Sequence, residues 1–218
     1  MRVLVVAGDR WHPMEVVKRG LLEFQSQAPD VEYDFMEDAK DMLTPEMLQD
    51  YDCVIIGKAN QMCTANDSLW MAEGTAEVCE DQLREFIMNG GGVMFLHAGG
   101  GETKEKSPKW CELTGNSFLG HPERCEVRVE IAGDHEITKD CEGFAERDEH
   151  YQLEYLADDL DVFLRSYSDY GKEQAAGYTR RLGKGRICVL IPGHTLAVFR
   201  NPQFRKIFLN AVLWCAEE

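Results

Sequence analysis

The chain has 218 residues, 44% hydrophobic and 28% charged, enough for one domain with a substantial core. Its formal charge of −16, from 39 acids against 23 bases, argues against nucleic acid or anionic membrane as a partner, because phosphate binding depends on clustered Lys and Arg. Nothing approaches about 18 consecutive apolar residues, so no membrane span is expected.

The opening MRVLVVAGDRWHP is too short in its apolar run for a signal peptide and reads as a first strand, Arg2–Ala7. Residues 13–27 follow with Met14, Val17, Leu21 and Phe24 on one stripe, a helix with Pro near its start. Residues 31–36 read as a second strand, and 44–50 as a short helix opened by Thr44-Pro45-Glu46. Residues 53–56 form a third, buried strand, and 60–74 are polar and irregular. A second amphipathic helix is predicted over 75–89, capped by Thr75, with Cys79, Leu83, Phe86 and Ile87 inward and Gly90-Gly91-Gly92 as its stop. Residues 93–96 are the fourth strand. The order β-α-β-(α)-β-α-β is that of a doubly wound parallel sheet.

Further on, Cys125–Ile131 alternates, with Val127, Val129 and Ile131 on one face. Residues 161–167, 174–181 and 186–191 are further strands, joined at Asp169-Tyr170-Gly171 and at Leu182-Gly183-Lys184-Gly185. The basic run around Arg180, Arg181, Lys184 and Arg186 reads as a solvated hairpin rim. Residues 202–218 close the chain as a helix with Phe204, Ile207, Phe208, Ala211, Val212 and Cys215 inward. No repeat or composition break divides the chain, so residues 1–218 are expected to be one α/β domain. The eight cysteines show no CxxC and irregular spacing, and Cys53, Cys188 and Cys215 lie in apolar segments, which suits a reduced, cytoplasmic protein.

Ligands of open parallel sheets bind beyond the carboxyl ends of the strands. His12, His97 and His194 fall at or just past three such ends, while His121, His135 and His150 lie in the irregular middle, with Asp148 and Glu149 beside His150. Imidazole is the commonest metal ligand, and three protein ligands plus water is the usual catalytic zinc arrangement. There is no HExxH or HxH, so any site must be assembled from distant segments. The alternative is that each histidine caps a strand or bonds a backbone carbonyl. His135 reads as structural or surface, and Asp148 equally as a cap. Trp11, Trp70, Trp110 and Tyr151 would line a sugar-sized pocket or fill the core. Gly99-Gly100-Gly101 admits a close backbone approach to an anion, or a flexible turn with no ligand. No P-loop occurs, and no Rossmann fingerprint follows strand one.

Several segments together resemble one family: Gly8-Asp9-Arg10-Trp11-His12-Pro13, Tyr51-Asp52-Cys53-Val54-Ile55-Ile56, Gly90-Gly91-Gly92-Val93-Met94-Phe95-Leu96-His97-Ala98-Gly99, Asp148-Glu149-His150-Tyr151, Gly183-Lys184-Gly185-Arg186 and Pro192-Gly193-His194-Thr195 look like the ThuA-like (trehalose-utilisation) family, in that family's order over nearly the whole chain. The resemblance implies a flavodoxin-like fold of the class I glutamine amidotransferase-like superfamily, with a largely parallel central sheet and helices on both faces. It also implies a role in bacterial carbohydrate utilisation, of trehalose and related disaccharides or of 3-keto-sugars. In class I amidotransferases the turn after the equivalent strand carries a nucleophilic cysteine within GxCxG. Here it reads Leu96-His97-Ala98-Gly99-Gly100, without Cys, Ser or Thr, so glutamine hydrolysis by that route is not expected.

The expected function is a metal-dependent hydrolase, lyase or isomerase of a sugar or keto-sugar. His97, His194 and Glu149 are the expected catalytic groups, and His12, His97, His150 and His194 the expected ligands of a divalent metal, zinc first and manganese or nickel otherwise. Asp9, Trp11, Asn60 and Tyr151 are expected to bind the sugar. The alternatives are a non-catalytic sugar-binding or regulatory subunit of a sugar-oxidation pathway, or a structural partner of a sugar dehydrogenase. A homodimer is expected only as the commonest soluble assembly.

Overall fold

The structure, a computed structural model, describes residues 1–37, 43–60 and 78–217. A nine-stranded sheet runs through it. Strands β1 (Arg2–Ala7), β2 (Glu32–Met36), β3 (Cys53–Gly57) and β4 (Gly92–Leu96) pair in parallel, and β4 pairs in parallel with β11 (Gly185–Leu190). Beyond β11 the sheet continues in antiparallel pairings through β10 (Gly171–Leu182), β9 (Asp161–Ser168), β6 (Cys125–Ile131) and β7 (Phe144–Asp148). The full order is β2-β1-β3-β4-β11-β10-β9-β6-β7. A separate ribbon pairs β5 (Asn116–Gly120) with β8 (Gln152–Tyr155).

Strands covered on both faces need apolar residues along their length, and β1, β3, β4 and β11 supply them apart from Arg2 and Arg186 near their starts. Alternation sorts these side chains into two cores. Val3, Val5, Met94, Leu96, Cys188 and Leu190 pack on one side with α1 (Met14–Glu23), α5 (Leu196–Arg200) and α6 (Pro202–Ala216). Leu4, Val6, Val93, Phe95, Ile187 and Val189 pack on the other with α2 (Pro45–Leu48), α3 (Glu80–Met88) and α4 (Pro108–Thr114). Local signals fix the helix starts: Thr44 accepts from the Met47 amide at 3.3 Å, and Asn201 from the Gln203 amide at 3.0 Å, each followed by Pro at the first helical position.

The predicted helix over 75–89 is observed as Glu80–Met88, and the Thr75 cap lies outside the described residues, as do Trp70 and most of the polar segment 60–74. Cys79, placed inward on the predicted stripe, is instead exposed at the helix start. Helices α4 and α5 and strands β5, β7 and β8 are short elements absent from the sequence prediction. Every cysteine among the described residues is free, with Cys53, Cys188 and Cys215 buried. No helix among the described residues is long and apolar enough to cross a membrane.

The strand order 2-1-3-4 reverses direction between β1 and β3, and the parallel strands all end at one rim. That rim carries the histidines.

Candidate metal centre

Three of the parallel strands each deliver one imidazole. His12 follows β1, His97 comes directly after β4, and His194 follows β11. His97 is held with a φ of +47°, a left-handed conformation that costs a non-glycine residue about 1–3 kcal/mol and marks functional turns. The strand therefore stops abruptly and aims the ring across the rim. Its Nδ1 donates to the Ile191 carbonyl at 2.8 Å, which leaves the Nε2 lone pair facing inward. His12 is fixed in the same manner. Its Nδ1 lies 2.9 and 2.8 Å from the two oxygens of the buried Asp9, and its Nε2 faces the other rings.

Glu149 arrives from the far edge of the sheet, one residue after β7. Its Oε2 lies 3.2 Å from His194 Nδ1, 3.4 Å from His97 Nε2 and 4.0 Å from His12 Nε2. His97 Nε2 and His194 Nδ1 are 3.2 Å apart. These four ligand atoms all lie within 4.8 Å of one another. Four ligands about 2.1 Å from one ion sit roughly 3.4 Å apart, so the spacing suits a divalent ion held by three nitrogens and one oxygen. The backing of His12 by a carboxylate and of His97 by a carbonyl is the outer shell that metal-ligating imidazoles have. On donor chemistry and on spacing the residues fit a metal.

Electrostatics agree with the geometry. Burial opposes charge on Glu149, but hydrogen bonds from His12, His194 and His97 outweigh it and hold its carboxyl far below the usual range. Burial likewise opposes charge on His12, yet the bonds to Asp9 and Glu149 raise it to about 9. Burial lowers the pKa of His97.

Glu149 brings Asp148 with it. The fully enclosed Asp148 carboxylate accepts the Gly193 amide at 2.9 Å and the His194 amide at 3.1 Å, so it positions the loop that carries His194. Asp148→Asn keeps the shape but turns one acceptor into a donor facing an N–H. Metal affinity, measured by chelator competition, is expected to fall about 10–100-fold with the fold retained; an unchanged affinity would show that Asp148 does not position His194.

The predicted site residues separate in space. His12, His97, His194 and Glu149 come together. His150, a predicted ligand, does not: its Nδ1 bonds Ser168 Oγ at 2.7 Å and its Nε2 bonds Ser166 Oγ at 3.1 Å, because successive residues of an extended segment point to opposite sides. Asp9, predicted to bind sugar hydroxyls, spends its carboxylate on His12 and on the backbone amides of Trp11, His12 and Ala59. Asn60 is likewise engaged, its side chain pairing with the Val78 amide and carbonyl.

Trp11 and Tyr151 do face a cavity, of about 970 Å³, that opens above Glu149, His12 and His194. Trp11 is 60% exposed at its mouth, and Tyr151 is buried with its hydroxyl 3.2 Å from His97 Nε2. Burial and nearby carboxylates raise the Tyr151 pKa well above the ordinary value, so it stays a phenol. His121 was missing from the predicted site. Its ring stacks on Tyr151 at 5.7 Å and its Nε2 lies 3.6 Å from Glu149 Oε2, while Nδ1 bonds the Pro122 carbonyl at 2.7 Å. Its own segment Gly120-His121-Pro122 carries no signal of this, since the β5–β8 ribbon folds it over the rim.

Within the glycine run after His97, Gly101 lines the cavity, whereas Gly99 faces the sheet. A Cβ on Gly99 would lie 1.9 Å from the Ile56 carbonyl oxygen, so this glycine lets the turn press against the end of β3.

The family model described as ThuA, trehalose utilisation, matches residues 2–215. Among solved structures, a ThuA-like protein from Bacteroides uniformis superposes with a TM-score of 0.76 at 18% identity, covering 99% of this chain and 91% of that one. A cytoplasmic protein from Salmonella typhimurium gives 0.70 at 15% identity, covering 100% of both chains. A beta-galactosidase from Bacillus circulans sp. alkalophilus gives 0.61 at 10% identity, with 99% of this chain covering 30% of that one. At these identities the likeness is one of fold. No sequence match was found among curated proteins.

Proposed function

Because the chain belongs to the ThuA, trehalose-utilisation, family, we propose that it is a metal-dependent enzyme acting on a sugar or keto-sugar at the His12–His97–Glu149–His194 centre. The observation that carries this reading is the convergence of four ligand atoms at the base of an open cavity walled by Trp11, Phe118 and Tyr151. Aromatic faces pack on the C–H surfaces of sugars, and a cavity of about 970 Å³ admits one or two sugar rings.

His12, His97, His194 and Glu149 would hold a divalent ion, zinc first and manganese or nickel otherwise. A bound ion supplies Lewis-acid polarisation of a carbonyl oxygen or acidification of a water. The chain's own groups do the rest. Tyr151, kept protonated, donates a hydrogen bond to a sugar oxygen placed beside His97. His121, with Nδ1–H committed to the Pro122 carbonyl, leaves Nε2 as a proton acceptor over the same centre. The elbow turn after β4 offers an imidazole in place of a nucleophile, which favours proton transfer or hydrolysis over a covalent intermediate.

Untagged protein purified without chelator is expected to carry close to one equivalent of a transition metal by elemental analysis and to turn over a disaccharide or keto-sugar. Protein that takes up no divalent ion would refute the metal-dependent reading. Thermal shift gives a second check, with a definite sign. The raised pKa of His12 adds stability to the metal-free protein below about pH 6.5, and that stability is lost as pH rises toward 9. Metal binding requires the deprotonated ring, so it strengthens over the same interval. The gap in Tm between metal-loaded and chelated protein should therefore widen from pH 6.5 to 9. A gap that narrows would contradict the assignment of His12 as a ligand.

A further inference from the structure

Arginines gather on the side of the cavity. Eight arginines elsewhere are each ion-paired with Asp or Glu. Among the described residues, five arginines form no ion pair with a carboxylate: Arg181 and Arg205 away from the cavity, and Arg10, Arg124 and Arg147, which are all exposed. Arg124 lines the cavity directly. Arg10 lies 5.4 Å over the ring of Trp11, which lines it too. Arg147 reaches the Arg124 carbonyl with Nε at 3.4 Å, and its own carbonyl accepts from Thr195, next to His194.

A chain of net charge −16 repels anions as a whole. Glu102 and Glu149 line the cavity as well, but Glu102 is bonded by the Asn60 amide and Ser107 and Glu149 by the histidines, which leaves the three guanidinium groups as charges at its aromatic-walled rim that can attract an anion. A guanidinium presents paired donors that match the oxygens of a carboxylate or phosphate. We infer that the sugar taken into this cavity carries an anionic group, a carboxylate or a phosphate, which docks on Arg124 with Arg10 and Arg147 drawing it in. This rests on the reading of the cavity as a sugar site and adds the charge class of the sugar.

Calorimetric titration of the metal-loaded protein with glucose, glucuronate, glucose 6-phosphate and inorganic phosphate tests it. At low salt at least one anionic sugar is expected to bind about tenfold or more tightly than glucose, with an advantage that shrinks as salt rises. Arg124→Gln should erase the advantage. Arg181→Gln, the same charge change at the opposite rim, should leave it intact. Preference for glucose 6-phosphate over glucuronate would identify phosphate as the group, and the reverse would identify carboxylate. Equal affinity for glucose and both anions, or an advantage that survives Arg124→Gln, overturns the inference while leaving the sugar site standing. Should no sugar bind, the sugar reading fails and inorganic phosphate decides. Phosphate binding abolished by Arg124→Gln keeps the anion site, and phosphate binding that is absent or indifferent to Arg124 overturns it.

Discussion

His97→Ala is expected to lose the metal and keep the fold. Structural zinc sites contribute about 10–16 kcal/mol, which shared among four ligands is about 2.5–4 kcal/mol each, or roughly two to three orders of magnitude in affinity. His97 is also the most enclosed of the three imidazoles, so water cannot readily replace it as a ligand. The cost to folding is smaller. The Ile191 carbonyl loses its donor, worth about 1–3 kcal/mol, and Ala inherits the strained φ. A domain of this size tolerates that loss, being stable by about 5–15 kcal/mol. The matched control is His150→Ala. His150 is as buried as His97 but bonds only Ser166 and Ser168, so its loss should lower Tm and leave metal content unchanged. Elemental analysis and circular dichroism of both variants, with sugar turnover alongside, separate the two cases. Full metal occupancy in folded His97→Ala would remove that residue from the centre. Loss of metal in folded His150→Ala would mean that the two adjacent residues 149 and 150 had been assigned to the wrong sides.

That pair also shows how far the sequence carries. The three rim histidines are legible because a parallel sheet puts every strand's carboxyl end on the same side, so a histidine just past an apolar run has a predictable address. Which of Glu149 and His150 turns inward depends on the local pleat and on where β7 docks, and neither is written in the run Asp148-Glu149-His150-Tyr151. Asp9 and Asn60 show the converse. Both sit beyond strand ends, as position alone predicts, yet loop closure uses their polar atoms on nearby backbone and, for Asp9, on His12. His121 depends on the long-range pairing of Asn116 with Tyr155 and of Phe118 with Leu153, contacts that no local pattern announces. The fold follows the same division. The buried strands of the parallel half appear as apolar runs, whereas β7, FAERD, carries three charged residues among its five and has no such signature. The sequence likewise reveals strands β6, β9 and β10 without revealing that they extend the parallel sheet in antiparallel pairing.

The glycine run after His97 leads to the second large effect. Gly99→Ala would place a Cβ 1.9 Å from the Ile56 carbonyl oxygen, which belongs to the backbone of a central strand and cannot rotate away. The turn is pinned on its other side, where the Gly99 carbonyl accepts the Trp110 indole N–H at 2.8 Å. Overpacking a tight core costs about 1–3 kcal/mol when side chains can yield, and a clash with fixed backbone on one flank, with the other flank held by the Trp110 hydrogen bond, exceeds that range. Relief requires the turn to move outward, and it carries His97 with it. Gly99→Ala is therefore expected to lower stability by more than about 3 kcal/mol in chemical denaturation and to release metal in whatever fraction remains folded. Gly100→Ala is the comparison. Its Cβ would meet only the Ile191 and Val189 side chains, each at 3.1 Å, and those methyl groups can shift by the few tenths of an ångström needed. It should cost about 1 kcal/mol and retain metal. If Gly99→Ala were as stable and as metal-loaded as the parent, the run would be a tolerant loop. If the two variants diverge as expected, its glycine is the packing device that lets a core strand end in an imidazole pointed across the rim.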